Sequence, residues 1–388
     1  MLQGGGALGA YQAGVFEGLS VDYPDLTWVA GISIGAINAA LIVGNPPLLR
    51  VKRLREFWEL LSSASASPLA SLMTPANANT NFGMNACINA VIKGREALNS
   101  ISASQTMLFG VPGFFSPRLI PAPLQQPGTL EAISYYDTTP MRRTLEKLVD
   151  FDRINAGPMR LSVGAVNVRS GNFQYFDSAR QKLDARHIMA SAALPPGFAP
   201  VEIDGEFYWD GGLVSNTPLQ HVLDQPGKKR RVVFQVDLFA ARGDLPTTLD
   251  EVTEREKDIR FSSRTRQVTT RELDRQVMTQ AAQRLIARLP AAFRNDPDAR
   301  ALAALRCESA IDVVHLIYRH KHYESQSKDY EFSRLSMQEH WDVGRSDTEH
   351  TLQNPRWARR ARTETGVRVF DLCPEGKQIS NASKKSAA

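Results

Sequence analysis

The Gly-Ile-Ser-Ile-Gly run at residues 31–35 constrains the fold more strongly than any other feature of the chain. A short apolar stretch at 26–30 precedes it, and a series of mostly small and apolar residues at 36–43 follows it. The first stretch has the length of a buried strand, whereas the second favours a helix. A glycine run followed by helical spacing also occupies residues 4–19. Because strands and helices alternate in this way, we predict an α/β domain with a mostly parallel sheet.

The chain offers little room for the strand that should precede the first glycine run. Only Met1, Leu2 and Gln3 stand before it. We expect either a very short strand or a longer natural chain, and the sequence does not decide between the two.

A serine at the centre of a tight strand-to-helix turn is typical of a catalytic nucleophile. The Ser33 hydroxyl would need exposure on a strained turn, and Gly31 and Gly35 supply the room that such a turn requires. The dipole of the helix that begins after Ser33 favours negative charge at the same point. We therefore predict that Ser33 is a nucleophile held in an elbow with Gly31 and Gly35.

The Gly-Gly-Gly-Ala-Leu-Gly run at 4–9 has two interpretations. It formally matches the dinucleotide-binding fingerprint, which requires an acidic residue at the far end of the second strand. Asp22 and Asp25 precede that strand, and its far end carries Gly31 and Ser33 instead. In the second interpretation, several backbone N–H groups at a helix N-terminus converge on one anionic oxygen. We favour this second use, an oxyanion hole.

An Asp-Gly-Gly run at 210–212 follows a predicted strand and, taken alone, is best explained as an ordinary turn. Together with the opening glycine run and the serine turn about thirty residues later, however, it resembles the patatin-like phospholipase family. Two further stretches, 190–200 and the Asn-Thr-Pro at 216–218, add to the resemblance. The similarity covers residues 1 to about 240.

The resemblance implies a three-layer α/β/α sandwich and a Ser-Asp dyad without histidine, carried by Ser33 and Asp210. It also implies that the N–H groups of Gly4, Gly5 and Gly6 form the oxyanion hole. The expected reaction is hydrolysis of fatty-acyl esters of lipids, with phospholipids or lysophospholipids as the expected substrates, without a metal or other cofactor. An aspartate with a pKa of about 3.9 is a poor base at neutral pH. We therefore expect a desolvated site that raises this pKa.

The resemblance and the sequence pattern divide the chain into a patatin-like acyl hydrolase domain at 1–240 and an extension at 241–388. Residues 231–237 are expected to form the last strand of the sheet. The extension is charged and helix-rich, with one short strand candidate at 311–317, and it resembles the C-terminal extension of a bacterial subset of the family. The polar tail from about Lys377 is predicted to be disordered.

Residues 62–128 differ in amino-acid composition from the rest of the first domain. Serine, alanine, asparagine, proline and glycine dominate there, with apolar residues scattered between them. A long, partly irregular insertion of this kind favours a lid or a binding loop over a core element.

Charge and cysteine content narrow the cellular context. The net charge is +5, but residues 241–388 mix 26 basic with 22 acidic side chains, which argues for solvated helix faces and against a nucleic-acid partner. The three cysteines, Cys87, Cys307 and Cys373, are far apart and fit a reducing compartment. No apolar run is long enough to span a bilayer. We expect a cytoplasmic protein, with peripheral membrane contact as an additional expectation.

Other mechanisms stay open at this point. A Ser-His-Asp triad would need a histidine in a loop near a strand end. His221 falls in a predicted helix and His315 in an apolar stretch, so we interpret both as structural. His187, in the predicted helix before Pro195, could approach the site, and we interpret it as structural or substrate-facing. A thioesterase or general carboxylesterase would use the same dyad, and a non-catalytic lipid-binding protein is a further alternative.

Overall fold

A computed structural model gives the fold and describes residues 1–65, 84–224, 230–290, 293, 296–304, 310–319, 324, 326–361 and 366–372. The predicted disordered tail and part of the 62–128 insertion lie outside these described residues. The helices are α1 (Gly9–Asp22), α2 (Ile34–Val43), α3 (Arg50–Leu61), α4 (Met84–Phe109), α5 (Thr139–Leu148), α6 (Phe151–Ala156), α7 (Ala185–Ser191), α8 (Leu219–Asp224), α9 (Leu249–Arg288), α10 (Pro297–Ala304), α11 (Arg334–Gln353) and α12 (Pro355–Ala358).

The strands form a mixed sheet in which parallel pairs dominate the centre, apart from β2 and β3, which form a two-stranded sheet with each other. They are β1 (Trp28–Ile32), β2 (Ser116–Pro117), β3 (Tyr136–Asp137), β4 (Arg160–Asn167), β5 (Phe173–Asp177), β6 (Val201–Ile203), β7 (Glu206–Asp210), β8 (Arg230–Asp237), β9 (Ala310–Ile317) and β10 (Gly366–Asp371). One part has the order β1-β4-β7-β6, with β5 also on β4, and another has the order β10-β9-β8. Pairs β1–β4, β8–β9 and β9–β10 are parallel. The predicted α/β fold is confirmed.

Leu2 joins these two parts of the sheet. It forms parallel bridges to Gly31 on β1 and to Val236 on β8. Its N–H donates to Ala30 O at 2.8 Å, and the Val236 N–H donates to Met1 O at 2.9 Å. The residues immediately before the glycine run therefore lie between β1 and β8.

The expectation that 231–237 ends the sheet is wrong. Both β9 and β10 continue the sheet beyond β8, in parallel. The sequence predicted a strand at 311–317. Its pairing with β8 was not predictable, because the long charged helix α9 separates the two strands in sequence. The buried core also crosses residue 240, since Val314 and Trp341 belong to the same cluster as Ala36. The domain boundary at 240 stays a prediction.

Helix α2 explains why the serine turn is followed by small residues. Every residue of α2 is buried, so the helix passes through the interior. Alanine and glycine on this helix allow neighbouring elements to approach closely, because close packing leaves no space for larger side chains. The start of α2 is thereby fixed at the carboxyl end of β1.

Helix α11 packs directly against α1, far away in sequence. A Cβ atom built on Gly14 would overlap the carbonyl oxygen of Trp341, and one built on Gly344 would overlap that of Tyr11. The Trp341 Nε1–H also donates to Glu17 Oε2 at 2.6 Å. The C-terminal region therefore supports the helix that follows the glycine run.

The described part of the 62–128 insertion is packed rather than detached. Phe114 and Phe115 are buried, and both rings contact Phe198. Strand β2 pairs with β3 next to them. Whether the insertion acts as a lid stays a prediction. None of the helices in the described ranges combines enough length with enough apolar character to span a bilayer.

The contact between α1 and α11 gives a stability prediction. Gly14→Ala should lower the free energy of unfolding by about 1–3 kcal/mol, because the added methyl group collides with the Trp341 backbone. Gly18→Ala is the comparison on the same helix: its methyl group meets the Thr348 side chain at 2.9 Å and no backbone atom as closely as in Gly14→Ala, so it should cost less stability. Urea unfolding of both variants measures the difference. Equal effects would contradict the close backbone contact.

Candidate active site

Ser33 stands at the junction of β1 and α2 with an unusual backbone conformation. Its φ of 55° lies in the region that non-glycine residues rarely adopt. A Cβ atom on Gly31 would overlap the Gly35 carbonyl, and one on Gly35 would overlap the Leu2 carbonyl. The two glycines therefore permit the tight turn that presents the serine.

Strand β4 brings Asp210 next to this turn. Ile32 pairs with Gly164 on β4, and Asp210 pairs with the following residue, Ala165. The Ser33 side chain stands close enough to the Asp210 carboxyl group to lower the pKa of that group. Ser33 and Asp210 are remote in sequence, but they are neighbours because β1 and β7 pair with consecutive residues of β4.

The Asp210 carboxyl group is deeply buried, with only 1% of the residue exposed. Burial raises its pKa from 3.8 to about 7, although the hydrogen bonds from Ser33 and the Gly212 N–H act in the opposite direction. The Gly212 N–H donates to Asp210 Oδ1 at 2.7 Å. Near neutral pH the group can therefore both accept and return a proton.

The glycine run lies against Ser33. A Cβ atom on Gly4 would stand 2.9 Å from the Ser33 Cβ. The Gly4 N–H donates to Asn216 O at 3.3 Å, so it is already engaged. Among the described residues, no acceptor forms a hydrogen bond with the N–H groups of Gly5 and Gly6. These two residues are therefore better candidates for an oxyanion hole than Gly4.

Asn216 links the glycine run to the aspartate turn, a role that the sequence did not reveal. Its Nδ2 donates to Gly4 O at 3.0 Å. A Cβ atom on Gly212, in the aspartate turn, would lie 3.1 Å from Asn216 Oδ1. The only signal was its place in the Asn-Thr-Pro stretch shared with the resembled family.

Ser191 is a second residue whose role the sequence left unassigned. The Ser33 N–H lies 3.1 Å from both the carbonyl oxygen and the Oγ of Ser191. Ser191 Oγ in turn donates to Gly164 O at 2.6 Å, and the Asp210 N–H donates to Ala193 O at 2.9 Å. Residues 191–193 therefore hold the nucleophile and the acid together.

The three histidines considered for a triad have other surroundings. His221 Nε2 lies 3.3 Å from Asp177 Oδ2. His187 forms a capping box with Asp184 at the start of α7. His315 lies within β9. None of these contacts involves the serine or the aspartate of the site.

Two protein-family models match separate segments of the chain. A sequence model described as patatin-like phospholipase matches residues 1–223, more than half of the chain. A second model, described as patatin phospholipase, matches residues 259–364. The chain belongs to the patatin-like phospholipase family, as its motifs predicted. No curated protein matches.

Among solved structures, the crystal structure of VipD from Legionella pneumophila is similar to this chain at 14% sequence identity and a TM-score of 0.30. The match covers 87% of this chain and 66% of that one. This chain therefore spans just under two thirds of the length of VipD. Such a low TM-score supports no statement about shared activity.

The buried carboxyl group gives a prediction about stability. Its pKa is raised on folding, so its contribution is present at low pH and is lost as the pH rises from about 4 to 7. Asp210→Asn should therefore be more stable than the wild type at pH 8, by at most about 4 kcal/mol, and the difference should shrink towards pH 4. Urea unfolding at several pH values measures this.

Asp177→Asn is the control with the opposite sign. Burial favours the neutral form of Asp177, but hydrogen bonds from His221 and Arg160 outweigh burial and hold its pKa below the ordinary value. This variant should lose stability at pH 8. If Asp210→Asn also loses stability at pH 8, the inferred pKa of Asp210 is wrong.

Proposed function

We propose that this protein is a serine acyl hydrolase that cleaves fatty-acyl esters of lipids, of the phospholipase A or lysophospholipase type. One observation carries the proposal: β4 brings the Ser33 turn next to the buried Asp210 carboxyl group, and burial raises the pKa of that group to about 7. Membership of a phospholipase family supports a lipid substrate.

In the proposed first step, Asp210 accepts the proton of Ser33 while the Ser33 Oγ attacks the ester carbonyl carbon. The N–H groups of Gly5 and Gly6 hold the resulting oxyanion. The C–O bond to the alcohol then breaks, and the alcohol takes the proton from Asp210. Gly4, whose N–H is engaged by Asn216, holds the loop instead of donating to substrate.

In the second step, water attacks the acyl group on Ser33. Asp210 accepts a proton from this water, the oxyanion forms again at Gly5 and Gly6, and the Ser33–acyl bond breaks. Ser33 recovers its proton from Asp210, and the fatty acid leaves. No metal or cofactor takes part in either step.

The dyad gives an activity prediction. Ser33→Ala should lower fatty-acid release by at least about 10³-fold and abolish labelling by a fluorophosphonate, and Asp210→Asn should lower release comparably. Because Asp210 must be ionised to act as a base, kcat/KM of the wild type should rise with pH and level off above about 7. A panel of phospholipid, lysophospholipid and thioester substrates measures these rates.

His221→Gln is the control for a triad and should keep activity within a few-fold of the wild type. Release confined to thioesters would replace the lipase assignment by a thioesterase. Full activity of Ser33→Ala would sink the dyad altogether, and absence of labelling in the wild type would favour a non-catalytic lipid-binding protein.

We also propose that the protein contacts lipid surfaces through one apolar face. Nine large apolar side chains define this face, and each is between 41% and 98% exposed: Met107, Leu108, Phe109, Leu119, Ile120, Leu124, Leu130, Ile133 and Tyr135. Between 107 and 130 the only charged residue is Arg118, which donates to Ser134 Oγ at 2.8 Å. Large exposed apolar patches with so little charge are typical of membrane contact.

This apolar face is connected to the candidate active site through Tyr136 and residues 193–197. The Tyr136 hydroxyl donates to Met107 O at 2.8 Å, and the Tyr136 N–H donates to Gly197 O at 3.0 Å. Residue 197 follows closely on Ala193, whose carbonyl accepts the Asp210 N–H. A lipid entering from a membrane bound here would therefore have a short path to the serine.

The apolar face gives a binding prediction. The triple variant Phe109→Ser, Leu119→Ser and Leu124→Ser should bind phosphatidylcholine vesicles at least about tenfold more weakly, because each side chain loses favourable burial. Its hydrolysis of a water-soluble short-chain ester should stay unchanged. Vesicle sedimentation measures the binding.

Leu48→Ser is the matched control, since Leu48 is 95% exposed but lies beyond the opposite end of α2 from Ser33. This variant should bind vesicles like the wild type. Unchanged vesicle binding by the triple variant would rule out this face as the contact.

A further inference from the structure

The C-terminal region contacts the glycine run through one backbone carbonyl. The Ala7 N–H donates to Asp329 O at 2.7 Å. Gly6 has a φ of 53°, and a Cβ atom built on it would overlap the same Asp329 carbonyl oxygen. The position of Asp329 O therefore fixes the backbone of the residues that carry the candidate oxyanion donors.

A buried charge cluster holds the residue before this carbonyl. Lys328 Nζ donates to Glu254 Oε1 at 2.9 Å and to Asp258 Oδ1 at 2.8 Å, both on α9. The Lys328 side chain is only 2% exposed. Burial disfavours the charged lysine, but the two carboxylates outweigh burial and keep its pKa above the ordinary value. Lys328 is thus a buried ammonium group anchored to α9.

A second lysine on α9 holds the same segment from outside. Lys257 Nζ donates to Asp329 Oδ1 at 2.8 Å and to Gln326 O at 2.7 Å. Its side chain is 20% exposed, so this attachment is nearer to solvent than that of Lys328. Residues 326–329 are consequently tied to α9 at several points.

Helix α9 also reaches the other end of the glycine run. The Phe261 carbonyl accepts from Gln3 Nε2 at 3.3 Å and from Asn216 Nδ2 at 3.4 Å. Gln3 immediately precedes the run, and Asn216 holds Gly4. One helix therefore contacts the supports on both sides of Gly5 and Gly6.

We propose that Lys328 is a positioning residue for the oxyanion hole: through Glu254 and Asp258 it fixes the Asp329 carbonyl, which aligns the Gly5 and Gly6 N–H groups. The inference rests on the proposed function, and it gives the C-terminal region a part in catalysis. Displacing a catalytic group by about 1 Å can cost about 10²-fold in rate, so a loosened anchor has a measurable effect.

The test uses the full chain and a water-soluble short-chain ester. Lys328→Met should lower kcat by about 10-fold to 100-fold while KM stays within about threefold. The pH at which kcat/KM levels off should stay unchanged, because Asp210 keeps its surroundings. The rate of fluorophosphonate labelling should fall in parallel with kcat, since the same donors stabilise that adduct.

Two further variants keep the test decisive if Lys328→Met does not fold. The triple variant Lys328→Met, Glu254→Gln and Asp258→Asn removes the buried charges together. Lys257→Met changes only a partly exposed pair and should lower kcat by a few-fold. Circular dichroism and thermal unfolding establish that each variant is folded.

Arg368→Met is the matched control. Arg368 pairs with Asp312 between β10 and β9, so the variant breaks an ion pair of the C-terminal region away from the glycine run. It should lower thermal stability and leave kcat unchanged. Folded Lys328 or Lys257 variants with wild-type kcat, or with a shifted pH profile, would overturn the inference, whereas an inactive wild type would instead refute the proposed function.

Discussion

The geometry of the site depends on two consecutive residues of β4. Gly164 pairs with Ile32, which precedes the serine, and Ala165 pairs with Asp210. A Cβ atom on Gly164 would collide with the ring of Phe173 and with the Ile32 side chain, so a larger residue there would require both side chains to shift. The spacing of a β-sheet therefore sets the distance between nucleophile and acid, without any loop having to be ordered for that purpose.

The carbonyl group of Gly164 also organises the backbone around the serine turn. Gly164 O accepts the Ser191 hydroxyl, and Ser191 accepts the Ser33 N–H. The Ser33 N–H is consequently engaged within the protein. In the proposed mechanism, stabilisation of the oxyanion is therefore assigned to another backbone segment, the glycine run next to the serine.

In the proposed mechanism, burial allows an aspartate to act as the base in the place that histidine occupies in a triad. An unperturbed histidine titrates near pH 6.5, which makes it a suitable base at neutral pH. The buried Asp210 carboxyl group reaches a pKa of about 7 by desolvation alone, against the hydrogen bonds that lower it. The raised pKa lowers the free energy of unfolding at neutral pH, and it gives the proposed base a suitable strength.

Local patterns predicted the parts of the site that depend on short stretches of sequence. The turn at Ser33 follows from a strand, two glycines and a helix within 18 residues, and Asp210 follows from its strand and the family resemblance. Ser191 and Asp329 were not assignable, because their contacts with residues 33 and 7 depend on the tertiary fold. For the same reason the pairing of β9 with β8 and of β10 with β9 was missed.

The glycine run illustrates how flexible donors become a defined site. Glycine has greater backbone freedom than other residues, so a run of three needs external constraints to hold one conformation. Asn216 O engages the Gly4 N–H and Asp329 O engages the Ala7 N–H, which leaves the two N–H groups between them. Asn216 lies in the segment matched at 1–223, whereas Asp329 lies in the segment matched at 259–364. The two matched segments therefore meet at the candidate oxyanion hole, and neither alone supplies both constraints.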